Sequence, residues 1–87
     1  MNWYKLSYIK SMPSLRPRQF SKFLMNQGFR YDHQSGSHQM FVHPDGRRVV
    51  VPNHPGDMKK EVMMTIVKKM LNMSIPDFQS ALANTKL

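Results

Sequence analysis

Four histidines are the side chains of this sequence that are best suited to proton transfer: His33, His38, His43 and His54. An ordinary histidine has a pKa of about 6.5, so both its protonated and its neutral form are accessible near neutral pH. The same chain carries 13 Lys and Arg against five Asp and Glu, for a net charge of +8. Proton-transfer groups on a strongly cationic chain favour chemistry on a polyanion, and nucleic acid is the first candidate.

RNA is a polyanion that brings its own nucleophile, the 2′-hydroxyl beside each phosphate. A protein that cleaves it needs to remove that proton, neutralise the charge on the phosphorane and protonate the leaving 5′-oxygen. Histidine suits the two proton transfers, and Arg and Lys suit the charge stabilisation. This route requires no metal.

Among the four histidines, His38 has the most favourable position. It begins a predicted strand directly after Gly36-Ser37. A glycine turn lets the backbone approach a phosphate closely, and a side chain at a strand end projects from the rim of the sheet. Composition alone does not select His38, because a histidine in a small basic protein is more often structural or merely exposed.

A metal site is the alternative use of these histidines. His33, His38 and His43 are spaced five residues apart, which predicts His33 and His43 near each other across neighbouring strands. The chain has no cysteine, and no Asp or Glu joins these histidines at a familiar ligand spacing. We therefore expect no metal site and no cofactor.

The patterning predicts one domain, residues 13–87, after an N-terminal extension, residues 1–12. A first helix is expected over residues 16–27, because Pro17 suits a first helical turn and Gly28 suits the position after a helix end. Alternating or β-branched stretches predict strands over residues 29–34, 38–43 and 47–52, with Tyr31 and His33 on one face. A helix over residues 59–71 and a short helix beginning at Ser74, with Asp77 in a capping box, complete the prediction.

These elements form an α+β domain, in which a three-stranded antiparallel sheet carries two helices on one face and a short C-terminal helix follows. The other face of the sheet is left to solvent or a partner. The nine methionines fill the core or, alternatively, form a partner surface. No stretch is long and apolar enough for a membrane span, and the start lacks the apolar run of a signal peptide, so we expect a cytoplasmic protein without membrane contact.

Two stretches of the chain resemble the HicA toxin family. Residues 36–47, GSHQMFVHPDGR, are similar to the family pattern of Gly-Ser-His, an aromatic residue three positions on, and a His-Pro-Asp-Gly turn. Residues 49–54, VVVPNH, resemble the strand that follows it and its Val-Pro-x-His ending. The likeness covers roughly residues 12–82 and leaves residues 1–11 unmatched.

This resemblance implies a fold like that of the double-stranded-RNA-binding domain (dsRBD), with the order α-β-β-β-α. It implies a ribonuclease toxin that cleaves messenger RNA, with the Gly-Ser-His histidine, His38, as the catalytic residue. It also implies a HicB antitoxin that binds the toxin and blocks this histidine. His54 matches a recurrent family position, where we expect a loop anchor in preference to a second proton-transfer group.

The RNA-binding residues follow from the same resemblance and from the charge. The family often has Lys or Arg just before Gly-Ser-His, whereas this chain has Gln34-Ser35. Phosphate contacts are therefore expected from the turn backbone and from cations elsewhere, namely Gly36, Ser37, Lys22, Arg30, Arg47 and Arg48.

Two other functions fit the same composition. A non-catalytic dsRBD-like module would bind RNA through phosphates and 2′-hydroxyls, and it would tolerate Gln in place of His38. A protein-interaction domain would match its basic, Met-rich surface to an acidic partner, which is compatible with the toxin function.

Overall fold

The computed structural model describes residues 12–87. The predicted extension lies outside the described residues except for Met12, whose side chain is buried. The elements, in chain order, are helix α1 (Pro17–Asn26), strands β1 (Arg30–Ser35), β2 (His38–Val42) and β3 (Arg48–Pro52), helix α2 (Lys60–Thr65), a π-helical segment (Ile66–Met70) and helix α3 (Ile75–Ala83). The expected α+β class and the order α-β-β-β-α, with a short helix after it, are confirmed.

Helix α1 begins and ends within one residue of the predicted bounds, with Arg16 and Gln27 as its caps. Pro17 occupies the first turn, and the side chain of Gln19 accepts a hydrogen bond from the Arg16 amide at 3.0 Å. Gly28 adopts a φ of 93° just after the helix, a conformation that favours glycine. The buried stripe of the helix consists of Phe20, Phe23 and Leu24.

The strands pair in the order β1-β2-β3, and both pairings are antiparallel. Because neighbouring residues of a strand point to opposite faces, the register assigns each side chain to a face. The face with Phe41, Val49 and Val51 is buried, and these residues belong to one core cluster with the apolar residues of the helices. His38 lies on the opposite face.

A β-bulge corrects the prediction for the first strand. Tyr31 lies opposite Phe41, but His33 lies opposite Met40, so the register shifts at Asp32. A bulge inserts one extra residue and thereby reverses the alternation beyond it. Tyr31 and His33 therefore point to opposite faces, and their predicted placement on one face is wrong.

The helix predicted over residues 59–71 is present, but its second half is not α-helical. The amide of Leu71 donates to the carbonyl of Ile66 at 2.9 Å, five residues back, which is the π-helical pattern. Asn72, with a φ of 56°, ends the segment. The spacing of apolar residues over a single turn does not distinguish α-helical from π-helical hydrogen bonding. The sequence therefore predicted a continuous α-helix.

Helix α3 begins at the predicted cap. The Ser74 hydroxyl accepts a hydrogen bond from the Asp77 amide at 3.1 Å. Phe78 is fully buried, and its ring lies 5.0 Å from that of Phe23 in an edge-to-face arrangement. Several methionines also fill the core: Met12, Met58, Met63 and Met64. Within residues 12–87, no helix combines the length and the apolar character that a membrane crossing requires.

Candidate active site

His38 is the first residue of β2, and its side chain is exposed. It lies between Ser35 on β1 and Pro52 on β3, so the sheet holds its backbone on both sides. The preceding turn depends on Gly36, whose φ is 58° and whose surroundings leave open space where a Cβ would stand. The turn therefore presents His38 at the rim of the sheet, as the sequence predicted.

A hydrogen bond beyond the β2–β3 ladder joins the turn to the loop after β3. The amide of Asn53 donates to the carbonyl of Ser37 at 2.6 Å. This bond continues the pairing of His38 with Pro52 by one position. The loop that carries His54 is thereby held beside the turn that carries His38.

His38 and His54 line one surface depression of about 500 Å³. Both residues are exposed, and the structure shows no hydrogen bond, ion pair or ring contact of either imidazole with another of residues 12–87. The other lining residues are two oppositely charged residues of the following loop, Asp57 and Lys59, and the less polar Pro17, Pro52, Pro55, Met58 and Val62. The arrangement places two unengaged imidazoles at a cavity of nucleotide size, with a lysine at its wall.

A second depression, of about 490 Å³, adjoins the first and is rich in cations. The two share Pro17, His54 and Pro55. The cations of the second depression are Arg16, Arg18 and Lys22.

Of these cations, only Lys22 was predicted from the sequence. Arg16 and Arg18 at this second depression, and Lys59 at the first, were not predicted. The signal for Arg18 was present, because residues four apart on a helix lie on one face and Arg18 is four residues before Lys22.

Arg30 and Arg48 lie on the His38 face but at the other end of the sheet. Both pair with Val42, four residues along β2 from His38, which is roughly 13 Å at about 3.3 Å per residue. The Arg30 guanidinium is 3.9 Å from Asp32, and both groups are largely exposed. The structure therefore does not bring these two arginines to the depression that contains His38.

Arg47 is engaged within the protein. Its Nε donates to Asp45 Oδ2 at 2.8 Å, one Nη donates to the Leu71 carbonyl at 3.3 Å, and its guanidinium lies 5.2 Å from the centre of the Phe29 ring. The Arg47 amide also donates to Asp45 Oδ1 at 3.0 Å. This backbone hydrogen bond is the main cause that lowers the pKa of Asp45, with the guanidinium adding to it. The contacts connect the turn between β2 and β3 to the end of the π segment.

The remaining histidines lie apart from each other. His33 pairs with Met40 and hydrogen bonds through its ring to the carboxylate of Asp32 at 2.7 Å, which is the largest cause of the lowered pKa of Asp32. The His43 ring packs edge-on against Phe29, with 5.0 Å between the ring centres. The prediction that His33 and His43 lie near each other is wrong, because the strand pairing does not oppose them. Within residues 12–87, no group of three or more His, Asp or Glu could hold a metal ion.

The fold and the exposed histidine pair define a small basic α+β domain with a dsRBD-like element order and a candidate site for acid–base chemistry. A family model described as the HicA toxin of bacterial toxin-antitoxin systems matches residues 17–71, from the start of α1 to the residue after the π segment. The chain belongs to this HicA toxin family. It is thus a toxin of the toxin–antitoxin class, whose members are generally ribonucleases and act with an antitoxin partner. Comparison with curated proteins gave no match.

Proposed function

We propose that this protein is an endoribonuclease toxin that cleaves messenger RNA by histidine acid–base catalysis and needs no metal ion. The observation that carries the proposal is the pair formed by His38 and His54, two exposed imidazoles without hydrogen bonds in the described part of the chain, at one depression. Membership of a family of RNA-cleaving toxins supports the same reaction class.

In the proposed reaction, His38 is the general base. Its imidazole removes the proton of the 2′-hydroxyl, the 2′-oxygen attacks phosphorus, and the bond from phosphorus to the 5′-oxygen breaks. His54 donates a proton to that 5′-oxygen as it leaves. The products are a 2′,3′-cyclic phosphate and a free 5′-hydroxyl, so atoms and protons balance without another reactant.

The other lining residues would position the substrate and stabilise its charge. Lys59 reaches the same depression and would balance the negative charge of the phosphorane. Gly36 and Ser37 would contact phosphate through the backbone of the turn that precedes His38, where even a Cβ at Gly36 would meet open space. A proton-transfer role for His54 is favoured over anchoring, since its ring makes no hydrogen bond within residues 12–87.

The proposed partner is a HicB-type antitoxin that inhibits the toxin by covering this depression. A strongly cationic toxin with a net charge of +8 favours an acidic surface on the antitoxin that blocks it. Co-expression with the HicB-type protein should give a stable complex without ribonuclease activity, and failure of the two to associate would contradict this assignment.

The test of the activity compares wild type with His38→Ala and His38→Gln. Wild type should cleave RNA in the presence of EDTA and leave 2′,3′-cyclic phosphate ends, and its induction in cells should stop growth. Each variant should lose at least about 100-fold in cleavage rate, the usual contribution of a proton-transfer group. Because His38 is exposed, the variants should keep the wild-type circular dichroism spectrum and melting temperature.

Two results would overturn the catalytic proposal. One is full cleavage and toxicity in His38→Gln. The other is RNA binding with a steep salt dependence but no cleavage by the wild-type protein, which would assign a non-catalytic RNA-binding module instead.

A further inference from the structure

We propose that a single unpaired RNA strand runs from the His38 depression across helix α1 to Tyr31, and that this track binds the nucleotides on one side of the cut. The inference rests on the proposed function and extends it to the class of substrate. Three neighbouring depressions of the surface carry it.

The depressions are continuous with one another. The His38 depression shares His54 with the basic depression. The basic depression in turn shares Arg18, Lys22 and Asn53 with a third depression of about 490 Å³. A strand whose scissile phosphate lies at His38 therefore has a path along which its next phosphates follow.

The charges along this path match a sugar–phosphate backbone. Arg16, Arg18 and Lys22 line the basic depression, and no Asp or Glu side chain does. None of the three cations forms an ion pair within residues 12–87. By contrast, Arg30 and Arg47 each have an acidic neighbour.

The far end of the path offers an aromatic surface. Tyr31 lines the third depression, and its side chain is 48% exposed. It is the aromatic residue of β1, whose other residues are polar. Its ring lies edge-on against Phe41, with 5.8 Å between the centres, which holds its orientation. Cations that follow the backbone and an aromatic ring that stacks a base are the combination by which proteins bind single-stranded nucleic acid.

The chemistry at His38 also requires an unpaired strand. In-line attack of a 2′-oxygen needs the sugar and phosphate to rotate out of the helical conformation, and a paired A-form strand resists this rotation. The dsRBD-like order of elements does not itself determine the substrate, because function resides in the site and not in the fold. The occupant of the track is therefore single-stranded RNA rather than a duplex.

The test uses oligoribonucleotides of increasing length. For wild type, kcat/KM should rise from a dinucleotide to a tetranucleotide extended on one side of the cut, by about tenfold for each phosphate or base that the track binds. The double variant Arg18→Gln/Lys22→Gln should have a smaller ratio of kcat/KM for the tetranucleotide to kcat/KM for the dinucleotide. Tyr31→Ala should remove the gain from the last base. Lys69→Gln, an exposed lysine outside all three depressions, is the matched control and should keep the wild-type ratio.

A binding measurement separates this inference from the proposed catalysis. A 2′-O-methyl tetranucleotide cannot be cleaved, so its affinity is measured without catalysis. The slope of log affinity against log salt concentration should be less steep for the Arg18/Lys22 double variant than for wild type, by about 0.7 for each lost phosphate contact. This change should appear even if His38 proves not to be catalytic. An unchanged length ratio and salt slope would overturn the track, as would equal affinity for duplex RNA. Loss of antitoxin binding with unaltered RNA binding would assign the surface to the protein partner and also overturn it.

Discussion

The amide of Asn53 lies 2.6 Å from the carbonyl of Ser37, one position beyond the last pair of the β2–β3 ladder. This single backbone bond joins the Gly-Ser-His turn to the loop that carries His54. The two histidines are separated by 15 intervening residues in the sequence, yet they line the same depression. The geometry of the proposed active site therefore depends on main-chain pairing as well as on the side chains that react.

The first prediction tests this link with two substitutions at one position. Asn53→Pro removes the amide proton and should lower ribonuclease activity at least about tenfold, with a loss of about 1 kcal/mol in the free energy of unfolding. Asn53→Ala keeps the amide and should retain activity within a few-fold of wild type. Cleavage assays and urea denaturation provide the comparison. Equal activity of the two variants would show that the backbone bond does not organise the site.

The second prediction separates two adjacent cations. Arg47 binds Asp45, the Leu71 carbonyl and the Phe29 ring, whereas Arg48 is exposed at the start of β3. Arg47→Ala should therefore lower the free energy of unfolding by about 1–2 kcal/mol, through the lost hydrogen bond and cation–π contact. Arg48→Ala should change stability by less than about 0.5 kcal/mol. A reversed order in thermal denaturation would contradict the assignment of Arg47 to the fold.

The third prediction concerns the two glycines that flank β1. A Cβ at Gly28 would lie 2.9 Å from the Nε2 atom of His43, and its φ is 93°. A Cβ at Gly36, with a φ of 58°, would meet open space. Gly36→Ala should therefore cost only about 1–2 kcal/mol for the left-handed backbone, and Gly28→Ala should cost more. Denaturation midpoints that are equal for the two variants would argue that the His43 ring moves aside freely.

The fourth prediction is a pH dependence of stability. The amide and guanidinium of Arg47 lower the pKa of Asp45 in the folded protein below its ordinary value of 3.8, and His43 lies beside the same carboxylate. A depressed pKa stabilises the fold above the unfolded-state value, and this stabilisation disappears as the pH falls through the folded-state value. Asp45→Asn should thus be less stable than wild type at pH 7, and the difference should shrink below pH 3.8. A difference that does not vary with pH in denaturation curves would exclude this contribution.

Local signals in the sequence were sufficient for most of the fold. Pro17 and Gly28 bound the first helix, and the Ser74–Asp77 cap starts the last one, because each signal acts through hydrogen bonds and dihedral angles within a few residues. The bulge at Asp32 and the π segment after Thr65 were missed. Both depend on how a strand or helix is fitted to its neighbours, which apolar periodicity does not encode.

The candidate site was predictable only in part, for a related reason. Placement of His38 at an exposed strand start followed from the turn and the strand pattern on either side of it. The proximity of Arg18 and Lys22 to His54 could not be predicted in this way, because it depends on how α1 packs beside the loop after β3. Arg47 carried the same sequence signal as Arg48, but its tertiary contacts direct it into the protein.

The fifth prediction assigns the two proton transfers to separate histidines. If His54 protonates the leaving 5′-oxygen, His54→Ala should slow cleavage of ordinary RNA by about 100-fold or more, because an alkoxide leaves poorly without a proton. A nucleoside 3′-(p-nitrophenyl phosphate) has a leaving group that needs no proton, so its cleavage should fall much less in the same variant. His38→Ala should slow both substrates, because each depends on removal of the 2′-hydroxyl proton.

The control for this assignment is His33→Ala. His33 is exposed like His54, but its ring hydrogen bonds to Asp32 and it is not one of the residues that line the depression. This variant should cleave both substrates at the wild-type rate. If His54→Ala slowed the activated and the ordinary substrate equally, His54 would act by positioning RNA or the loop, and the leaving oxygen would take its proton from another donor such as Lys59 or water.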